Sequence, residues 1–245
     1  MLMDLPKNGM MMEKELLNTH KIKFMNYKEL MKNAYYPLMD KEEEGIIELT
    51  TAIVGYRFTD PSLIDSPNNP IPYESINNFY RNFGSCSITW KGVKEYWEKI
   101  GEDMPDYFEG EVNIDAFKVL LDSPYIKDGK AFYDSVETIT IHGEEMPIPP
   151  NLTFYDLGYC TEGCAVGFFV GEGYDDAIWY RNVEDSFMSL GVNIDGYMQL
   201  LAKNYGMRHW QTDSDDLEHT VPFIDENFTL KAYEELEESL YLYKK

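Results

Sequence analysis

The chain has 245 residues, of which 44 are Asp or Glu and 21 are Lys or Arg, giving a formal net charge of −23. With 44% apolar and 15% aromatic residues it is too hydrophobic for acidic disorder, and it is long enough to bury a core without disulfide staples. A pI near 4.4 repels phosphates, which excludes direct binding to nucleic acid or to an anionic membrane surface.

The acidity is uneven. Residues 1–100 carry 12 basic and 14 acidic groups, whereas residues 101–245 carry 9 and 30. Such a split points either to an acidic partner-binding face or to a solvated, highly soluble surface. Cys86, Cys160 and Cys164 are sparse and odd in number, which argues for a reducing compartment. The N-terminal stretch contains Asp4, Glu13 and Glu15 without an apolar run of signal-peptide length, and nowhere do about 18 apolar residues run together. A cytoplasmic protein is the expectation.

In chain order, Leu16, Leu17, Phe24, Tyr27, Leu30 and Met31 recur at three- and four-residue steps, predicting one or two amphipathic helices that end before Pro37. Residues 45–58 read equally as a strand or a short buried helix. The proline-rich stretch from Asp60 to Pro72 predicts an ordered loop or linker. Pro72 then opens a helix carrying Ile76, Phe79, Tyr80 and Phe83, stopped by Gly84. Ser85–Trp90 predicts a half-buried strand that pairs with Gly110–Ile114 across a connection containing Trp97 and Pro105.

Ser135–Gly143 predicts a further strand, followed by the loop Glu144–Leu152. Cys164–Gly171 and Ala177–Tyr180 flank a Gly- and Asp-rich turn and predict a β-hairpin, with Gly171 and Gly173 in positive-φ positions. Asn193 caps a helix with Ile194, Met198 and Leu201 on one stripe and Gly206 as its stop. Leu230, Tyr233, Leu236, Leu240 and Tyr243 predict an amphipathic C-terminal helix with the run EELEE on its opposite face. Helices and strands interleave without regular alternation, so the expected class is α+β, an antiparallel or mixed sheet with a central hairpin at about 164–180 packed against several helices.

No catalytic constellation emerges. There is no nucleophile elbow, zinc-protease motif or phosphate-cradling loop, and the GxG of the hairpin turn is followed by acidic residues. Cys160 and Cys164 with His142 or His209 supply only one closely spaced couple for zinc; two buried small residues are the alternative reading. The histidines, His20 and His219 included, are scattered. Asp213, Asp215, Asp216 and Glu218 resemble a calcium loop in charge but lack its central Gly and terminal Glu, and otherwise read as a solvated loop.

Four blocks in order carry a resemblance to the SUKH superfamily, which includes a fungal cell-wall synthesis regulator and many bacterial immunity proteins. Ile71-Pro72, Ile76, Phe79-Tyr80, Gly84 and Trp90 resemble its helix, glycine and Trp-ending strand. Gly110, Val112, Asn113 and Ile114 resemble its next strand. Asp156 and Glu162-Gly163-Cys164-Ala165-Val166-Gly167-Phe168 look like its central hairpin. Tyr197, Leu200, Leu201, Gly206 and Trp210-Gln211 are similar to its late helix. The blocks span about 71–211; residues 1–70 and 212–245 are expected as helical extensions of one domain over 1–245, with Ser123–Pro150 an elaboration between blocks.

The resemblance implies an α+β fold without a general catalytic set, hence a non-enzymatic protein-binding module without cofactor or metal. Many bacterial members neutralise toxins, often nucleases, and an acidic surface would suit a basic toxin partner. Glu172, Tyr174, Asp175 and Asp176 in the hairpin turn are then the first partner-binding candidates, an aromatic anchor among carboxylates. An exposed hairpin tip without a partner is the alternative for those four. A regulatory scaffold for endogenous partners and an unrecognised hydrolase are the alternatives for the whole chain.

Overall fold

The computed structural model describes residues 25–54, 60–106, 108–133, 135–161, 163–212 and 215–242. The first half of the predicted N-terminal helical region, His20, Glu162, Asp213 and Tyr243 therefore lie outside the described residues.

Helix α1 (Tyr27–Glu43) opens with the Asn26 side chain accepting from Glu29 N and continues through Pro37 rather than ending before it. An interior proline loses one helical hydrogen bond and costs about 3 kcal/mol. Met31, Ala34 and Leu38, all buried on the core side, outweigh that loss. The described part of the ambiguous stretch after it forms a strand, β1 (Ile47–Val54), and residues 55–58 lie outside the described residues. Within the proline-rich loop, Asp60 caps the single turn α2 (Pro61–Ile64), so that loop is partly helical. Asn69 donates to Asn77 at 3.0 Å and Asn77 to the Ile71 carbonyl at 3.2 Å, which orders the rest.

α3 (Glu74–Asn82) follows, with Tyr73 as its N-cap and Pro72 just outside the helix. β2 (Cys86–Gly92), α4 (Lys94–Ile100) and β3 (Glu109–Ile114) come next, and β1-β2-β3 form an antiparallel sheet. The predicted pairing of the second and third strands holds, in the register Trp90↔Gly110 and Cys86↔Ile114.

The second sheet has eight strands. After α5 (Phe117–Asp122) come β4 (Ile126–Lys127), β5 (Lys130–Ala131), β6 (Thr138–Ile141), β7 (Glu144–Pro147), β8 (Thr153–Thr161), β9 (Cys164–Val170), β10 (Trp179–Arg181) and β11 (Ser186–Ser189). Their order is β5-β4-β8-β9-β10-β11-β6-β7, antiparallel except where β11 meets β6. Glu144–Pro147, expected as loop, is a strand: it pairs with β6 as an exposed edge, and its Glu-Glu-Met-Pro sequence shows no apolar alternation. The predicted central hairpin is present as β9–β10, in the register Gly167↔Trp179. In its turn Gly173 has φ +87, but Gly171 is not in the left-handed region; a Cβ there would meet Leu152 Cδ1 at 3.0 Å.

The chain closes with α6 (Ile194–Lys203), α7 (Asp215–Thr220), a 3-10 turn at Val221–Phe223 and α8 (Leu230–Leu240). Helix and sheet together make the α+β architecture expected from the pattern of elements. The main core gathers Met31, Phe79, Tyr80, Trp90, Phe168, Tyr197, Leu201 and Tyr233. A smaller core on the other side of the long sheet holds Ile139, Leu152, Phe154, Phe169, Trp179 and Phe187. β9 lies between the two, Phe168 facing one and Phe169 the other, which is why CAVGFF reads as an unbroken apolar run.

Most residues of the four blocks are set by packing. Trp90 Nε1 donates to the Tyr205 carbonyl at 2.9 Å, and the indole fills the space in which a Cβ on Gly110 would sit. Gly206, at φ +68, lets Glu111 N donate to its carbonyl at 2.7 Å; a Cβ there would be 2.6 Å from Val112 Cγ2.

Candidate functional site

The predicted hairpin-turn residues are adjacent but largely engaged by the fold. Tyr174 lies with its ring 4.6 Å from Phe169, half-buried against the smaller core. Asp175 Oδ1 accepts from Ala177 N at 3.0 Å, and Asp176 Oδ2 accepts from Ser75 Oγ at 2.6 Å. Tyr73 donates to the Phe169 carbonyl at 2.8 Å; its phenol is pushed up to about 12 by burial, and then by Asp175 and Asp176. Glu172 alone of the four is exposed.

A larger acidic surface forms where α8 meets the end of β11. Thr229 Oγ1 accepts from Ala232 N at 3.3 Å and starts the helix; Tyr233 is buried in the main core, with Leu236 and Leu240 packed against it. Asn204 Nδ2 donates to Tyr233 Oη at 3.2 Å. Beyond the helix, Leu242 N donates to the Gly191 carbonyl at 2.8 Å, and the Tyr241 ring covers Gly191, whose Cβ would lie 2.8 Å from it.

Those contacts leave an open groove of about 1130 Å³ between helix and sheet, lined by Glu235, Glu237, Glu238, Tyr241, Met188 and His142 among others, with no Lys or Arg among the described residues of its wall. The Glu237 carboxyl is pushed upward by burial, opposed by a hydrogen bond from Tyr241, and raised further by Glu234 and Glu238. Lys231 pairs with Glu235 at 3.7 Å, both side chains largely exposed. The groove thus combines clustered negative charge with two half-exposed apolar side chains, Met188 and Tyr241. In the sequence the run EELEE read as the solvated back of a helix. Nothing in it indicated that β11 would bring Met188 alongside.

Cys160 and Cys164 lie near each other across β8 and β9, and no third candidate ligand joins them among the described residues. Cys160 and Cys164 are buried in the main core, and burial pushes the Cys160 thiol up to about 12, far from a reactive thiolate. His142 lies 5.0 Å from Trp179, on the side of the smaller core. Among the described residues no three His, Cys, Asp or Glu side chains gather as a metal site, and no helix is long and apolar enough to cross a membrane. Comparison of the chain with protein-family models, curated proteins and solved structures returns no match.

Proposed function

We propose that this protein is a non-enzymatic protein-binding module of the SUKH kind, an immunity protein that neutralises a basic toxin domain such as a nuclease. The observation that carries the reading is the groove between α8 and β11, with three glutamates and no Lys or Arg among its described lining residues. A nuclease active site must be basic enough to hold phosphates. A carboxylate-rich groove competes for that surface and accelerates encounter. Met188 and Tyr241 offer the apolar contacts that a purely electrostatic encounter lacks. The order of the four blocks and the concentration of acidic residues after residue 100 support the same reading.

The test is growth rescue by co-expression with a nuclease toxin, beginning with any toxin domain encoded at the C-terminus of a large secreted protein beside this gene. The reversed-charge pair Glu235→Lys and Glu238→Lys should slow association roughly ten-fold or more. Binding should collapse toward about 1 M NaCl, where the screening length is about 3 Å. Complex formation indifferent to salt and to both substitutions removes the acidic-groove mechanism, and absence of rescue removes the immunity reading.

A further inference from the structure

A second cavity, of about 420 Å³, opens where the ends of β8 and β10 approach the α5–β4 connection. Arg181, the last residue of β10, lies at its floor and is 6% exposed. A guanidinium carries five donors and is expensive to bury unless they are used. Its one hydrogen bond among the described residues, from Nη2 to Asp156 Oδ2, is 3.3 Å long, and Nη1 is 3.8 Å from Asp185 Oδ1. Among the described residues Nε has no partner, and neither does the neighbouring Oδ1 of Asp156. Burial pushes the Asp156 carboxyl up to about 6 although Arg181 opposes it. The guanidinium carbon sits 3.8 Å above the Tyr125 ring, and the Tyr125 hydroxyl donates to Asp185, so the floor is held in place.

The rim is as unusual as the floor. Phe132, Tyr133, Tyr159 and Val183 line the opening and are 67%, 59%, 49% and 64% exposed. Large apolar side chains gathered in water around an under-bonded buried ion pair mark a recognition site. The volume falls within the roughly 300–1,000 Å³ of small-molecule pockets. Charge narrows the ligand. Two carboxylates beside one guanidinium among the described lining residues, in a protein of net charge −23, disfavour an anion, and the guanidinium beside the Asp156 carboxylate sets a donor next to an acceptor for a ligand edge that carries both.

We propose that this pocket binds a neutral, flat heteroaromatic molecule whose edge sets a hydrogen-bond acceptor beside a donor, as a free nucleobase or nucleoside does. The acceptor faces the Arg181 guanidinium, the donor faces the Asp156 carboxylate, and the ring lies among Phe132, Tyr133 and Tyr159. Stacking on aromatics and paired polar groups on the floor are what such a ring requires.

Titration calorimetry of the full chain with guanosine tests this. Guanosine should bind at one site per chain, and guanosine 5′-monophosphate about ten-fold or more weakly because its phosphate meets an acidic surface. Caffeine, which can stack but carries no N–H, should bind measurably less well than guanosine. Phe132→Ala and Tyr159→Ala change exposed side chains and should leave folding intact, yet weaken guanosine binding roughly 5- to 150-fold. Arg181→Gln should abolish it but also leaves Asp156 and Asp185 without their partner and weakens the fold, so the rim variants decide. No guanosine binding overturns the proposal. Binding untouched by the rim variants overturns its location, an equal affinity for caffeine overturns the paired floor, and an equal affinity for the monophosphate overturns the neutral ligand.

Discussion

At Gly158 the packing leaves no room for a single methyl group. A Cβ there would overlap the carbonyl oxygen of Asn113, at the point where Asp115 N donates to the Leu157 carbonyl at 2.7 Å and the two sheets meet. Gly158→Ala must push β3 and β8 apart, which should lower stability by about 1–3 kcal/mol. Urea denaturation measures this, and an unchanged midpoint would refute the steric account. Gly110 and Trp90 were legible in the sequence as parts of one pattern, yet only their opposition across β2 and β3 explains the pairing of a glycine with an indole. Gly158 carried no sequence signal at all, because what forbids its side chain is the backbone of a strand remote in the chain.

Elements whose signal lies within a few contiguous residues were readable. Asn193 Oδ1 accepts from Gly196 N at 3.1 Å and starts α6 as its N-cap. Asn193→Ala should therefore cost about 1 kcal/mol and Asn193→Asp far less, as thermal unfolding of both variants would reveal. The β9–β10 hairpin was equally plain, for its strands are dense in β-branched and aromatic residues around a glycine turn. Other elements depended on context. α1 runs through Pro37 because Met31, Ala34 and Leu38 are buried around it. β7 exists because β6 lies beside it, and its own side chains are all exposed.

For the whole molecule, the imbalance of charge gives stability a direction with pH. The Asp156 carboxyl is raised to about 6, and those of Asp115, Glu111 and Glu237 are also raised, each chiefly by burial. A carboxyl whose pKa is higher folded than unfolded binds its proton more tightly in the native state. Its contribution is complete below the unfolded value and is lost as pH rises through the folded one. Asp60 and Asp225, which are lowered, act oppositely, but their contributions are lost only as pH falls below the ordinary carboxylate range. From about pH 5 to about pH 7 the raised group dominates, and self-repulsion at net −23 grows in the same direction. The thermal midpoint should therefore be higher near the lower of those two values; calorimetry giving the reverse order would contradict this.

The α+β class, the β2–β3 and β9–β10 pairings, the cap of α6 and the concentration of carboxylates after residue 100 follow from the amino-acid order alone. These are properties of composition or of short contiguous segments, where periodicity and capping act. That Tyr125, Asp156, Arg181 and Asp185 share one floor, and that α8 and β11 enclose one groove, is set by the packing of remote segments. Burial of a charge and proximity of side chains depend on how distant segments pack, and no local pattern records that.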